Sequence, residues 1–276
     1  MPPGCWIAFI QRSQETISVS SAPVDDLLDS DTSRFMFIVT TSTRIPLFFR
    51  AMSLFYILLV QILLYVLWVD DFRTPLIYLS AWHIYLALGY FTIGTIQSCY
   101  IFYCTLPDYA QINPLALAAF WVLQNVTAPI SLLVVIGYWA FFHPARSIWS
   151  VLIGIHGHGM VSILVLVDVV ISKTPLYLNH IWYSLLVLFL YGLFAFVYEV
   201  AGGKNDSGNR FIYKPLNFWT DNGRLQIKPF VLACMTFAIV APLCYVVVWC
   251  MKNIIYVCFP PGPYKRVHSK PTMVNP

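Results

Sequence analysis

Apolar residues run in long blocks along this chain, and the charged residues fall between them. Six stretches contain no Asp, Glu, Lys or Arg: Arg50 to Asp70 encloses 19 residues, Arg73 to Asp108 34, Asp108 to Arg146 37, Arg146 to Asp168 21, Lys173 to Glu199 25 and Lys228 to Lys252 23. Each is long enough to carry the roughly 20 apolar residues that cross a bilayer as a helix. The pattern predicts helices at 47–69, 76–102, 115–142, 148–171, 176–200 and 229–251. Membrane β-strands would read as alternating segments of about ten residues, which these continuous Leu, Val, Ile and Phe runs do not resemble. The predicted fold is therefore all-α, a polytopic bundle of six transmembrane helices spanning 47–258. It is flanked by a disordered N-terminal tail over 1–46 and a disordered C-terminal tail over 259–276. Neither tail has the apolar content to pack, and the first lacks the basic start and hydrophobic stretch of a signal peptide.

Within the third span, Pro129 removes a backbone donor, which should kink the helix and leave a freed carbonyl. Thr127 or Ser131 is the expected local partner for the freed backbone, and a helix interrupted in this way is expected to line a cavity. The two halves of the bundle share no motif, so an internally repeated transporter is not favoured.

Composition agrees with the pattern: 59% of residues are hydrophobic and 10% charged, with a mean hydropathy of +0.72. A globule in water carries roughly 25% charged residues. Net charge is only +4 and aromatics make up 17%, which excludes a disordered chain and a nucleic-acid surface. Six spans put both termini on one side, and Lys plus Arg then divide nine to seven in favour of that side. The positive-inside preference points to cytosolic termini. The sequon Asn205-Asp206-Ser207 falls in the opposite loop, which would be lumenal or extracellular. The seven cysteines are odd in number, form no CxxC pair and lie mostly in spans, so neither a disulfide framework nor a zinc site is expected.

Polar groups at membrane depth are costly and become functional candidates by default. Here they are Ser80 and His83 in the second span, Asn125 and Thr127 in the third, His156, His158 and Asp168 in the fourth, and His180 and Glu199 in the fifth. Ser80 and His83 share a helix face. His156 and His158 point about 200° apart on a helix and cannot both bind one metal, so no metal or other cofactor is expected. Asp168 lies nearly three turns from His158, too far to orient it, and is expected to be an interfacial carboxylate that reaches water or pairs with Lys173. Glu199 is expected to reach the interface in the same way. A neutral imidazole in low dielectric is a competent general base for a serine hydroxyl, which makes an ester hydrolase one hypothesis.

Several segments together resemble the rolling stone family of multipass membrane proteins. They are Arg50, Ile77-Tyr78-Leu79-Ser80-Ala81-Trp82, Asn125-Val126-Thr127-Ala128-Pro129-Ile130-Ser131, Gly137-Tyr138-Trp139, and His158 with Asp168 ten residues on. Pro175, His180, Tyr198, Gly202-Gly203 and Ile212-Tyr213-Lys214-Pro215-Leu216-Asn217-Phe218 continue the order. The resemblance implies a cell-surface role in the fusion or adhesion of cells such as myoblasts, and requires no chemistry. A thinner resemblance links this pattern to the androgen-induced membrane hydrolases, which cleave fatty-acid esters of hydroxy fatty acids. It maps their intramembrane threonine onto Ser80 and their histidine onto His158, while their second histidine is Val161 here.

Two functions follow. The first is a rolling stone-like integral membrane protein acting in fusion or adhesion, at the plasma membrane or endoplasmic reticulum, with the lipid bilayer as its partner. The alternative is an intramembrane hydrolase of a lipid ester, with Ser80 as nucleophile, His158 as base and His83 orienting or replacing it. Asn125, Thr127, His180 and Asp168 would line the cavity. No nucleic-acid partner is expected.

Overall fold

The computed structural model describes residues 44–68, 74–103, 114–142, 151, 154–172, 174, 176–205, 207–219 and 224–258. Both predicted tails lie almost wholly outside these residues, as does Lys173, the expected partner of Asp168.

The regular elements are helical. Helix α1 covers Arg44–Trp68, and a 3₁₀ turn at Thr74–Ile77 leads into α2, Leu79–Tyr103. Helix α3, Pro114–Gly137, runs through Pro129 and continues as a π-helical turn at Tyr138–Phe142. A second π turn, Ile155–Met160, opens α4, Val161–Ile171. Helix α5 covers Ile181–Val200 after a 3₁₀ turn at Leu178–His180. Helices α6, Ile227–Met235, and α7, Ala241–Cys258, are joined by a third π turn at Thr236–Val240.

Five helical segments are long and apolar enough to cross a membrane: Ile45–Leu63, Leu79–Tyr100, Leu115–Ala140, Leu178–Val200 and Ile227–Ile254. They match five of the six predicted spans. The fourth is described over Ile155–Ile171, an apolar helix shorter than a full span.

Apolar side chains face outward as well as inward, as a lipid solvent allows: Phe48 and Val66 on α1 and Trp182 on α5 are each about 70% exposed or more. The interior is built by α2, α3 and α4, on which α1 and α7 pack. Its centre holds Tyr90, Phe120, Val165, Val169 and Tyr245, with the Tyr90 and Phe120 rings stacked at 5.0 Å. In a bilayer no hydrophobic force draws helices together, because lipid tails are as apolar as leucine. Close packing and polar ties between helices must therefore hold this bundle.

Gly94 shows how close the packing is. A Cβ there would stand 2.8 Å from Phe120 Cε2 and 3.2 Å from Arg50 Cδ. Only glycine leaves room for the arginine to cross α2.

At the far end of α5 the chain stops in a Schellman turn. Gly202 takes φ +79 and donates its N–H to the Glu199 carbonyl, while Gly203 donates to Tyr198. The Gly202-Gly203 pair therefore has a backbone reason.

Candidate functional site: a polar interior in an apolar bundle

The interior carries polar groups at three levels. The first lies near the chain-terminal ends of the spans. Arg50, the first buried residue described on α1, is 3% exposed, and Asp168 on α4 is fully buried. Arg50 Nε donates to Asp168 Oδ1 at 2.9 Å and Oδ2 at 3.1 Å, and its Nη1 donates to Ser98 of α2 at 3.0 Å. The guanidinium also lies 4.7 Å from the centre of the Phe120 ring. Tyr90 donates its hydroxyl to Asp168 Oδ2. Lys252 of α7, 6% exposed, donates to the Val169 carbonyl and lies within electrostatic reach of both Asp168 and Arg50.

This overturns one expectation. Asp168 does not reach the interface; it ties α1, α2 and α4 together inside the bundle. Three residues that bounded charge-free stretches, Arg50, Asp168 and Lys252, meet at one place.

The second level surrounds Pro129. The Asn125 carbonyl, freed because Pro129 has no N–H, accepts the Ser184 hydroxyl of α5 at 2.7 Å. The partner is thus a neighbouring helix rather than Thr127 or Ser131. Ser131 instead donates to the Thr127 carbonyl at 2.7 Å, one turn back on its own helix. The Asn125 side chain donates to Trp121 O at 2.8 Å, and its Oδ1 lies 2.5 Å from the Tyr245 hydroxyl of α7.

His83 is fully buried, and its Nε2 stands 2.8 Å from Ser131 Oγ. Ser131 has one hydroxyl hydrogen, and the Thr127 carbonyl takes it. The hydrogen between His83 and Ser131 therefore sits on Nε2, which leaves Nδ1 as an acceptor. Among the described residues that Nδ1 has no hydrogen-bond partner, and neither do Thr127 Oγ1, Ser162 Oγ and both amide atoms of Gln124; all four of these residues are fully buried.

His158 comes within electrostatic reach of His83 and stacks on Tyr138, ring centres 3.9 Å apart. His156 turns the other way, onto the Tyr56 hydroxyl of α1. The divergence of the two histidines matches the sequence reading. Among the described residues no group of three or more His, Cys, Asp and Glu is placed to hold a metal. His180 stands apart at the start of α5, edge-on to Trp121 at 4.6 Å.

Ser80 is half-buried on the first turn of α2. The hydroxyl of Tyr213 accepts the Leu79 N–H at 3.0 Å and interacts with the Ser80 backbone. The serine bonded to an imidazole is Ser131, which the sequence reading offered only as a partner for freed backbone.

The third level caps the opposite end. Glu199 is 5% exposed, and its carboxylate accepts the Phe218 N–H at 3.0 and 3.3 Å, holding the loop after α5 against the bundle. Glu199 thus stands at the end of its span, with its carboxylate turned to the loop backbone rather than to solvent. Tyr191 donates to the Ile77 carbonyl at 2.9 Å, and Ile77, Ala195 and Ile212 form a small apolar core beneath the loop. Outside the spans, burial holds the Tyr213 phenol above its ordinary pKa of 10.0.

Outward apolar faces around a buried, hydrogen-bonded polar interior define an integral membrane protein of the multipass helical class. The family described as Protein rolling stone matches residues 39–259. That match takes in every helix described above, and the chain belongs to that family. It is similar to the Drosophila melanogaster protein named Protein rolling stone, at 29% identity over 113 residues, 40% of this chain and 41% of that protein. The matched region thus spans well under half the length of that relative. No solved structure matches the chain.

Proposed function

We propose that this protein acts at the cell surface in fusion or adhesion between cells, as a six-span bundle with cytosolic termini. The observation that carries the reading is the family match, which takes in the whole bundle rather than one motif. The fourth of these spans would include Ile155–Ile171, an apolar helix shorter than the other five. Large apolar side chains are exposed on each of the long helices, and Glu199, Tyr213 and Tyr191 pin the described part of the loop after α5 to the bundle, which supports contact at a membrane surface.

An enzymatic reading has less support. Ser131, the serine in contact with an imidazole, gives its proton to a backbone carbonyl, the reverse of the arrangement that activates a nucleophile. Ser80 lies by Tyr213.

The test combines surface biotinylation with removal of the protein from fusing or adhering cells. Labelling at the surface, with fusion or adhesion reduced on removal and restored by re-expression, is the expected result. Confinement to an internal membrane, with fusion and adhesion unchanged on removal, would overturn the reading.

A further inference from the structure

The loop between α5 and α6 carries exposed basic and exposed apolar side chains side by side. Lys204, Arg210, Lys214, Arg224 and Lys228 are all exposed. Positions 201–228 hold two acidic residues, Asp206 and Asp221, so the segment has a net charge of +3, five basic minus two acidic. Glu199, just before it, is buried with its carboxylate on the Phe218 N–H.

The second half of this loop is fixed at the bilayer edge. Phe218 bonds to Glu199 in the last turn of α5, and its ring packs on Phe196 of α5 at 5.5 Å and Phe230 of α6 at 4.8 Å. Trp219 and Leu225 pair as an antiparallel bridge. Gln226 donates its backbone N–H to Phe218 O at 2.8 Å and its side-chain amide to Trp219 O at 3.1 Å. Helix α6 starts on the next residue, Ile227. These ties hold Trp219 and Leu225 where α5 leaves the apolar span and α6 enters the next one. Lys214 joins them, because its 3₁₀ turn, Lys214–Leu216, packs against α6.

At that level the side chains divide by chemistry. Leu225 is 53% exposed and Ile227 77%. The half-buried Trp219 has an indole N–H without a partner among the described residues. Arg224 and Lys228 alternate with the apolar pair along the chain. Indole rings settle among lipid headgroups, and basic side chains at a bilayer surface are drawn to anionic ones. An acidic protein surface would satisfy the cations alone. A leaflet presenting phosphate above acyl chains satisfies both the cations and the apolar side chains, as interfacial segments require.

We propose that Lys214, Trp219, Arg224, Leu225, Ile227 and Lys228 form a docking surface for anionic phospholipid headgroups of the leaflet in which they sit. The guanidinium and the two ammonium groups pair with headgroup oxygens, while Leu225 and Ile227 enter the acyl boundary beneath. Anionic lipid gathers around the ends of α5 and α6 as a result.

The inference holds whichever leaflet carries the loop, and it does not rest on the fusion reading. Its test uses the full chain in phosphatidylcholine vesicles containing a minor share of phosphatidylserine. Energy transfer from the protein's tryptophans to trace dansyl-phosphatidylserine or dansyl-phosphatidylcholine reads which lipid gathers. Wild type should transfer about twofold more strongly, or better, to the serine lipid at low ionic strength. That preference should vanish in high salt, which screens exposed charges. Lys214→Gln, Arg224→Gln and Lys228→Gln combined should abolish it with the thermal midpoint unchanged, because all three side chains are exposed. Lys265→Gln, Arg266→Gln and Lys270→Gln combined should leave it in place. Equal transfer to both probes in wild type, or a preference that survives high salt or the three loop substitutions, would overturn the proposal. If the loop variant loses stability, the salt series on wild type still decides.

Discussion

Arg50 and Asp168, 118 positions apart, share a buried ion pair in which Nε stands 2.9 Å from Oδ1 and 3.1 Å from Oδ2. A charged pair in a low-dielectric interior persists only when its remaining hydrogen-bonding capacity is met. Here Ser98 takes a guanidinium N–H and Tyr90 gives the carboxylate its hydroxyl. The pair joins α1 to α4, with α2 contributing both supporting hydroxyls.

The crossing of Arg50 over α2 depends on Gly94. Gly94→Ala puts a methyl 2.8 Å from Phe120 and 3.2 Å from Arg50. A loss of about 1–3 kcal/mol is expected from overpacking, read as a lower thermal midpoint in detergent. Gly89→Ala is the control: its Cβ meets only Leu123 at 3.7 Å, an ordinary contact, and should be tolerated.

The cap after α5 should weaken in alkali. Burial holds the Tyr213 phenol above 10.0 in the folded state, so the unfolded chain loses this proton first. The contribution is fully present below pH 10 and is lost as pH rises beyond it, because the unfolded state then binds fewer protons than the folded one. Thermal midpoints measured between about pH 8 and 11 should fall more steeply for wild type than for Tyr213→Phe. At neutral pH the variant should be weaker by about 0.5–1.5 kcal/mol, since the Leu79 N–H loses its acceptor.

Fluorophosphonate labelling in detergent tests whether Ser80 is a nucleophile. The expected result is no labelling or ester turnover that depends on Ser80 or His158. Labelling of wild type that disappears in both Ser80→Ala and His158→Ala would restore the hydrolase reading.

Five of the six predicted spans were legible in the sequence because a bilayer spaces charges apart. The same rule misassigned the charges themselves: Asp168 and Lys252 looked like interfacial ends, yet both turn inward onto the cluster that holds Arg50. Which helices face one another is a three-dimensional relation, and charge spacing along one chain does not encode it. Pro129 follows the same division. Its freed Asn125 carbonyl could be deduced from the missing N–H, but the partner Ser184 lies 59 positions away on α5. The divergence of His156 and His158 was legible because it depends only on local helical rotation. Gln124 and Ser162 went unread, although the i, i+3, i+7 spacing of Gln124, Thr127 and Ser131 in an apolar span was a signal available for the first of them.

A double-mutant cycle on Arg50 and Asp168, read as thermal stability in detergent, measures most directly whether inward-turned charges hold this bundle. Arg50→Met and Asp168→Leu should each cost about 3–5 kcal/mol by leaving an unpaired buried charge. The double variant should cost less than their sum by at least about 1 kcal/mol. Costs that simply add, or single variants as stable as wild type, would contradict the account.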